Sequence, residues 1–342
     1  MDTPPGSDLD LRKQIAADAA EPEQAPSIFV KAGQFFIVPL VIVCACLGVY
    51  LFFRYMVSEP NSPADLIAEI RVGGAVSRKH AAHQLVRVVT DQYRRGRLDP
   101  GLFDPLLSLF KELPANEIPA DRMTQRLVGE GPSMRAIVAK CLSFFHDSRA
   151  VEPILLAMKD ERNSETLAAY IDALGANGSA EAGPELIKRL DDPSTVVKKY
   201  AAFNLAAVAA PKKDAKRGET DAGPRVPEAI PHLLRKLKDS SERDEVRWNA
   251  ALGLAVFLKD PAGREVLLEM LDRAHLEKII GADKKEPNVA QLVAHAMTNA
   301  CNAAAILKDA SFNPALERVK EDPDSNVRAA ARMAMEAISK KD

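Results

Sequence analysis

A short phrase recurs along the chain, and this repetition constrains the fold more than any other feature. The phrase is an aliphatic residue followed by Arg or Lys, then a small residue, then Leu or Met, spaced at i, i+4 and i+8. Clear copies begin at Met134, Val197, Val246 and Val327, and looser copies at Ser77, Thr166 and Val289. Because this spacing falls on one face of a helix, each copy predicts a helix with one apolar side.

A second apolar segment with an Asp-rich end precedes the clearer copies. These segments cover residues 150–160, 183–193, 229–239 and 314–324, and each has a proline near its start, where the fixed φ of the ring suits the first turn of a helix. Two such helices joined by a turn are too weakly apolar to stand alone and must stack on their neighbours. The pattern therefore predicts an all-α fold, an α-solenoid of about six to seven helix pairs over residues 64–342.

Composition supports helices. Aromatic residues make up only 5% of the chain, so its core must consist of Leu, Ala, Val and Ile. Sandwiches and barrels depend more on aromatic and β-branched side chains. One polar stretch rich in Pro and Gly, residues 211–227, interrupts the repeats and is predicted to be an inserted loop.

The repeated phrases resemble HEAT repeats. Those that carry the resemblance are HDSRAVEPILLAMKD, LIKRLDDPSTVVKKYAAFNLAAV and LERVKEDPDSNVRAAARMAMEAI. They are similar to the short bacterial type that is also seen in phycobilisome lyases, and the similarity extends over about residues 64–339. The resemblance implies an armadillo-like α-solenoid, and it leaves the function open because HEAT repeats serve many functions.

A long apolar run precedes the repeats. Residues 35–53 read FFIVPLVIVCACLGVYLFF without a charge, and as a helix they would extend roughly 28 Å. We therefore predict one transmembrane helix over residues 35–55, after a disordered acidic tail (1–34) and before a linker (56–63). The alternative is a buried helix of a soluble domain. More bases follow the run than precede it, which favours a cytoplasmic solenoid, and the resemblance to bacterial HEAT-like repeats implies a bacterial inner membrane.

The sequence offers little for catalysis. His80 and His83 lie at i and i+3, but no Cys or carboxylate at a neighbouring helical step completes a metal site. Deoxyhypusine hydroxylases, which are HEAT-repeat proteins, bind iron through His-Glu dyads, and no histidine here is followed by Glu. Cys141 and Cys301 lie in apolar helical patterns and are interpreted as small core residues. We expect no cofactor, no metal and no enzymatic activity.

Basic residues occupy the same place in successive copies of the phrase. This basic row consists of Arg78, Arg135, Lys198, Arg247 and Arg328. One interpretation is structural: each cation satisfies the unpaired carbonyls and an Asp at the preceding turn, namely Asp160, Asp192, Asp239 or Asp322. The other is a basic inner groove that holds an acidic peptide. For this second interpretation the candidate partner-binding residues are Lys79, Lys198, Lys199, Arg247, Trp248 and Arg328.

Charge argues against nucleic acid as the partner. The chain has 46 Lys+Arg against 48 Asp+Glu and a formal charge of −2. The sequence thus predicts a non-catalytic, membrane-anchored scaffold or adaptor whose solenoid binds protein partners, themselves membrane-associated. Two alternatives remain: a cofactor-binding lyase or chaperone-like HEAT protein, and a structural subunit of a membrane complex.

Overall fold

The computed structural model describes residues 28–56, 62–114, 131–211, 224–282 and 287–340. It divides the chain into two compact units, residues 1–61 and 62–342. The predicted tail up to residue 27, most of the predicted linker and the middle of the predicted loop 211–227 lie outside the described residues.

The described residues of the first unit form one helix, α1 (Ile28–Met56), with Pro39 inside it. It begins before the predicted span, so residues 28–34 are helical where a tail was expected; none of them is a proline that would break a helix. The described side chains from Pro39 to Phe52 are all exposed. In the part of the chain that the structure describes, no helix has the length and apolarity needed to cross a membrane. The predicted transmembrane helix is therefore not confirmed; side chains at both ends of that span, among them Phe35 and Phe36, lie outside the described ones.

The second unit is a series of helix pairs. Its described helices are α2 (Pro63–Val72), α3 (Ala75–Arg94), α4 (Phe103–Glu112), α5 (Met134–Ser143), α6 (Val151–Lys159), α7 (Ser164–Asn177), α8 (Gly183–Arg189), α9 (Thr195–Ala209), α10 (Ala229–Lys238), α11 (Asp244–Leu258), α12 (Arg264–Glu269), α13 (Arg273–Ile280), α14 (Val289–Leu307), α15 (Asn313–Val319) and α16 (Ser325–Ser339). The pairs are α2–α3, α4–α5, α6–α7, α8–α9, α10–α11, α12–α14 and α15–α16. The short helix α13 is inserted in the sixth pair.

The second helix of each pair stacks on the second helix of the next. Contacts run in order from α3 through α5, α7, α9, α11 and α14 to α16, and each first helix packs on its own partner. The buried side chains form one continuous apolar core along this row. No strand occurs among the residues that the structure describes. The all-α solenoid predicted from the repeated phrase is confirmed, and its pairs number seven over the described ranges.

Local signals fix where the helices begin and end. Asn163 caps α7 by accepting hydrogen bonds from two backbone amides, both at 2.9 Å, and Ser133 caps α5 in the same way with one. Pro184 and Pro314 lie in the first turns of α8 and α15, as predicted. Left-handed residues follow second helices: Gly178 (φ 73°), Lys259 (φ 53°) and Lys308 (φ 52°) end α7, α11 and α14.

Small residues allow the second helices to approach closely. A Cβ atom added at Gly253 of α11 would lie 2.9 Å from the Cβ of Ala206 and 3.3 Å from two carbonyl oxygens of α9. One added at Gly175 of α7 would lie within 2.6 Å of three side-chain atoms of Asn204. These positions hold glycine because a side chain would push the helices apart.

We expect Gly253→Val to lower the free energy of unfolding by about 1–3 kcal/mol, because the added methyl groups overpack the contact between α9 and α11. Chemical denaturation monitored by circular dichroism would measure the change. The matched control is Ala329→Val on the exposed face of α16, where only the small difference in helix propensity applies. Equal destabilisation by the two variants would contradict a tight approach at Gly253.

Candidate functional site

Four members of the basic row bind backbone carbonyls at the end of the preceding helix or, for Arg328, in the turn after it. Arg78 Nε donates to Ile70 O at 2.6 Å and Arg135 Nε to Phe110 O at 3.0 Å. Arg247 Nε donates to Leu237 O at 3.3 Å. Arg328 Nη1 donates to the carbonyls of Asp322 and Pro323, at 2.7 and 2.9 Å. These carbonyls have no partner within their own helix, so the arginines join the two helices of each pair.

The fifth member, Lys198, belongs to an ion-pair network instead. Its Nζ pairs with Glu242, whose other oxygen lies 2.7 Å from Lys236 Nζ. Lys236 also lies 3.0 Å from Asp191, which Arg235 contacts at 2.8 Å. Burial alone would raise the pKa of Glu242, but the hydrogen bonds from Lys198 and Lys236 outweigh it and lower that pKa. The hydrogen bond from Arg235 and the contact with Lys236 hold the pKa of Asp191 at about 2. The network ties α9 to α10.

The predicted acids of the turns behave differently from the expectation. Asp239 accepts from Ser241, and Asp192 pairs with Arg189 at 3.1 Å. Asp322 forms a bidentate pair with Arg273 of α13, with Nε–Oδ2 at 2.7 Å and Nη2–Oδ1 at 2.6 Å. Among the described contacts, the arginines of the basic row thus bind the carbonyls as expected. The three acids, however, bind other partners.

The Arg273–Asp322 pair fastens α13 to the next repeat. The carboxylate of Asp322 is only 4% exposed. Its burial would raise its pKa, but the bonds from Arg273 and the amide of Asp324 more than offset this and lower it. Apart from this pair, Leu276 is the only described residue of α13 that is fully buried.

An open groove of about 1370 Å³ runs along the solenoid and is the candidate functional site. Its floor is formed by α9, α11 and α14, with one residue from α7, and α13 and the turn after it supply further lining. The apolar lining residues are Phe203, Trp248, Leu252, Val256, Met270, Ile279, Ile280, Leu292, Ala296 and Ile306. Groove residues Tyr200, Leu292 and Ile306 are among the few large hydrophobic side chains of the second unit that remain exposed.

Polar groups interrupt the apolar lining. Asn204 and Asn249 occupy α9 and α11, and each donates its side-chain amide to the carbonyl four residues earlier on its own helix, at 3.0 and 2.7 Å. Asn299 and His295 of α14 contact each other at 3.4 Å. The lining therefore presents amide groups beside apolar surface on each of the three floor helices.

Trp248 lies at the centre of this arrangement, on α11. Its side chain is buried, with the whole residue 5% exposed. Its Nε1–H is also buried and meets no acceptor among the described residues. A buried donor without an acceptor costs about 1–3 kcal/mol, so an unpaired one in the lining of a groove calls for an explanation.

The groove brings together two of the six predicted partner-binding residues, Lys199 and Trp248. Lys198 and Arg247 are engaged in the internal contacts described above. Lys79 and Arg328 lie near the two ends of the solenoid, on α3 and α16, and do not line the groove. Sequence reasoning missed Lys278, Tyr200 and the exposed face of α14. No local motif in the sequence marks them.

The histidines and cysteines considered in the sequence analysis have contacts or burial within the fold. His80 and Gln84 contact each other at 2.8 Å, and within the described ranges no group of three potential ligands could hold a metal ion. Cys141 and Cys301 are buried, and their burial raises the pKa of each thiol to about 12. At neutral pH both thiols stay protonated.

Comparison with known families identifies the repeat. The model for HEAT repeats matches residues 120–206 and 184–282. Residues 120–282 therefore match the HEAT-repeat family. The matched residues include every helix from α5 to α13, and so most of the groove. No curated protein matches the chain by sequence.

Several solved structures are similar to the chain at low identity. The complex of CpcE and CpcF of phycocyanin lyase from Nostoc is 17% identical over 82% of this chain and 96% of that one, with a TM-score of 0.48. Human deoxyhypusine hydroxylase is 17% identical over 81% and 95%, with a TM-score of 0.33. A designed armadillo repeat protein is 18% identical over 81% and 100%, with a TM-score of 0.29.

We expect Asp322→Asn to lower the free energy of unfolding by about 2–3 kcal/mol at neutral pH, because it leaves a partly buried Arg273 without its charged partner. The folded pKa of Asp322 is below its ordinary value of 3.8. Its contribution is therefore present above pH 3.8 and lost as the pH falls below it. The difference in the free energy of unfolding between wild type and Asp322→Asn should therefore become smaller below pH 3.8.

Denaturation at several pH values would measure both effects. The control is Glu336→Gln, in the same repeat, whose partner Lys340 is 71% exposed. Its change should be much smaller than that of Asp322→Asn, because an ion pair in open solvent contributes little to stability. A gap for Asp322→Asn that is constant down to pH 3 would contradict the role given to this pair.

Proposed function

We propose that the HEAT-repeat solenoid is a protein-binding scaffold and that its partner lies in the groove over α9, α11 and α14. One observation carries this proposal: a groove in which apolar side chains lie beside amide groups on three successive helices. An extended polypeptide presents the same alternation of side chains and backbone amides. Solenoids characteristically use such extended concave surfaces for recognition.

The arrangement of the charges favours binding over catalysis. The acids that line the groove, Asp172, Glu242, Asp244 and Glu245, all lie within ion-pair distance of a cation. Carboxylates in such ion pairs are poor general acids or bases, and the histidine of the lining, His295, contacts Asn299. We therefore propose a non-catalytic role. The lyase or chaperone-like function remains the alternative, with the same groove as the site of a small cofactor.

Site-specific photocrosslinking in cells tests where the partner binds. A photoreactive amino acid at Leu292, which is 39% exposed in the groove, should crosslink to a partner protein. The same replacement at Leu156, which is 51% exposed on the first helix α6, should not. Mass spectrometry of the adducts would identify the partner. Crosslinks of equal yield from both positions, or from Leu156 alone, would contradict a partner in the groove.

A membrane anchor at residues 35–55 stays a prediction from the sequence, and we include it in the proposed function. Its support is the uncharged run within α1 and the exposure of the described side chains there. Anchoring would confine the groove to one plane and raise its effective concentration toward membrane-bound partners. In this proposal the solenoid lies on the cytoplasmic side of a bacterial inner membrane.

Fractionation tests the anchor. The full-length chain should stay in the membrane pellet after alkaline carbonate washing, whereas a variant without residues 28–56 should be released. Protease added to spheroplasts should leave a cytoplasmic solenoid intact and should degrade it only after lysis. Release of the full-length chain by carbonate would refute the anchor, and digestion in intact spheroplasts would place the solenoid on the other side.

A further inference from the structure

The acids in the groove are neutralised by the chain itself. The pairs are Asp172–Lys140, Glu242–Lys236, Asp244–Arg247 and Glu245–Arg243, with N–O distances of 2.6, 2.7, 3.1 and 3.9 Å. Glu242 has Lys198 as a second cationic partner. No carboxylate that lines the groove in the described part of the chain is left to attract a cationic ligand.

Two lysines that line the groove are not paired with a carboxylate of the described residues. Lys199 of α9 lies over the ring of Tyr200, 5.9 Å from its centroid, and Lys278 of α13 is exposed. Neither forms an ion pair with any carboxylate in the described ranges. Unpaired cations in a partly apolar groove attract anionic groups more strongly than cations in open water do, because the local dielectric is lower.

Trp248 adds a neutral donor to the two cations. Its Nε1–H is buried in the lining and has no acceptor among the described residues. Indole nitrogen donates and cannot accept, so a ligand would have to supply an acceptor atom to satisfy it. A carboxylate provides such an acceptor. It also provides a negatively charged partner for Lys199 and Lys278.

We infer that the groove selects a partner segment that carries a carboxylate side chain next to a large apolar one. This inference rests on the proposed function and names the chemistry of the partner. The carboxylate pairs with the lysines or accepts the hydrogen bond from Trp248. Apolar side chains of the segment cover exposed surface at Tyr200, Leu292 or Ile306.

The size of the groove sets the length of the segment. Neighbouring helices lie about 8–10 Å apart, so the distance from α9 across α11 to α14 is about 20 Å. An extended chain advances about 3.3 Å per residue. A segment of about six residues therefore crosses the floor, which is long enough to place an acidic and an apolar side chain several times.

Peptide display on the immobilised full-length chain tests the chemistry. A random library of peptides of about eight residues would be selected and sequenced. The expected result is enrichment of Asp and Glu beside Leu, Ile or aromatic residues. Trp248 is the only tryptophan of the chain, so occupation of the groove by a synthetic tryptophan-free copy of an enriched peptide should change the tryptophan emission.

Matched variants connect binding to the two lysines. The double variant Lys199→Gln with Lys278→Gln should bind the enriched peptide about tenfold more weakly, with less dependence on salt. The control is Lys159→Gln with Lys238→Gln, which removes the same charge from exposed residues of the first helices α6 and α10, outside the groove, and should bind as the wild type does. Fluorescence anisotropy of labelled peptide would measure both, and melting curves would confirm that the variants are folded.

The outcomes separate this inference from the proposed function. Enriched peptides that are basic or uncharged, yet change the emission of Trp248, would overturn the inference and leave a peptide-binding groove. Acidic peptides whose binding is equally weakened by both double variants would also overturn it, because attraction would then be non-specific. Peptides that leave the emission of Trp248 unchanged, or a selection that yields none, would overturn both.

Discussion

The whole solenoid depends on the need of each helix pair to cover an apolar face that it cannot bury by itself. Second helices of only 10 to 20 residues are too short and too weakly apolar to be stable in water alone. The row from α3 to α16 solves this by giving each second helix two neighbours. Small residues at the contacts, such as Gly253 against Ala206, bring the helices close enough for the core to continue from one pair to the next.

That constraint also explains why the basic row is structural. Closely stacked pairs leave the carbonyls at the end of each first helix in places that water reaches poorly. Arg78, Arg135, Arg247 and Arg328 supply the missing donors, each from the start of a second helix. The recurrence of a cation at this position is thus a consequence of the stack. In our proposal the cations that bind the partner are Lys199 and Lys278, which lie outside the row.

The repeated phrase sufficed to predict the class of fold, the number of pairs and the course of the apolar core, because a helical period and a repeat length are local properties of a sequence. The groove was harder to foresee. Lys199 and Trp248 were identified through their neighbours in the basic row, whereas Lys278 lies on α13, a helix that no copy of the phrase contains. Which lysines keep a free charge depends on contacts between residues far apart in sequence, such as Lys140 with Asp172. The acids of the turns show the same limit, since Arg273 reaches Asp322 from 49 positions away.

Helix α13 is inserted between the two helices of one pair. It lines the proposed binding groove but is not part of the row of stacked second helices. Because α13 is held by Leu276, by the partly buried Ile279 and Ile280 and by the Arg273–Asp322 pair, its exposed residues can vary without loss of that attachment. Changes there would alter the lining of the groove without shifting the register of α11, α14 and α16. A family of such proteins can therefore acquire new binding preferences at one short helix while every other repeat stays under the stringent selection that close packing imposes.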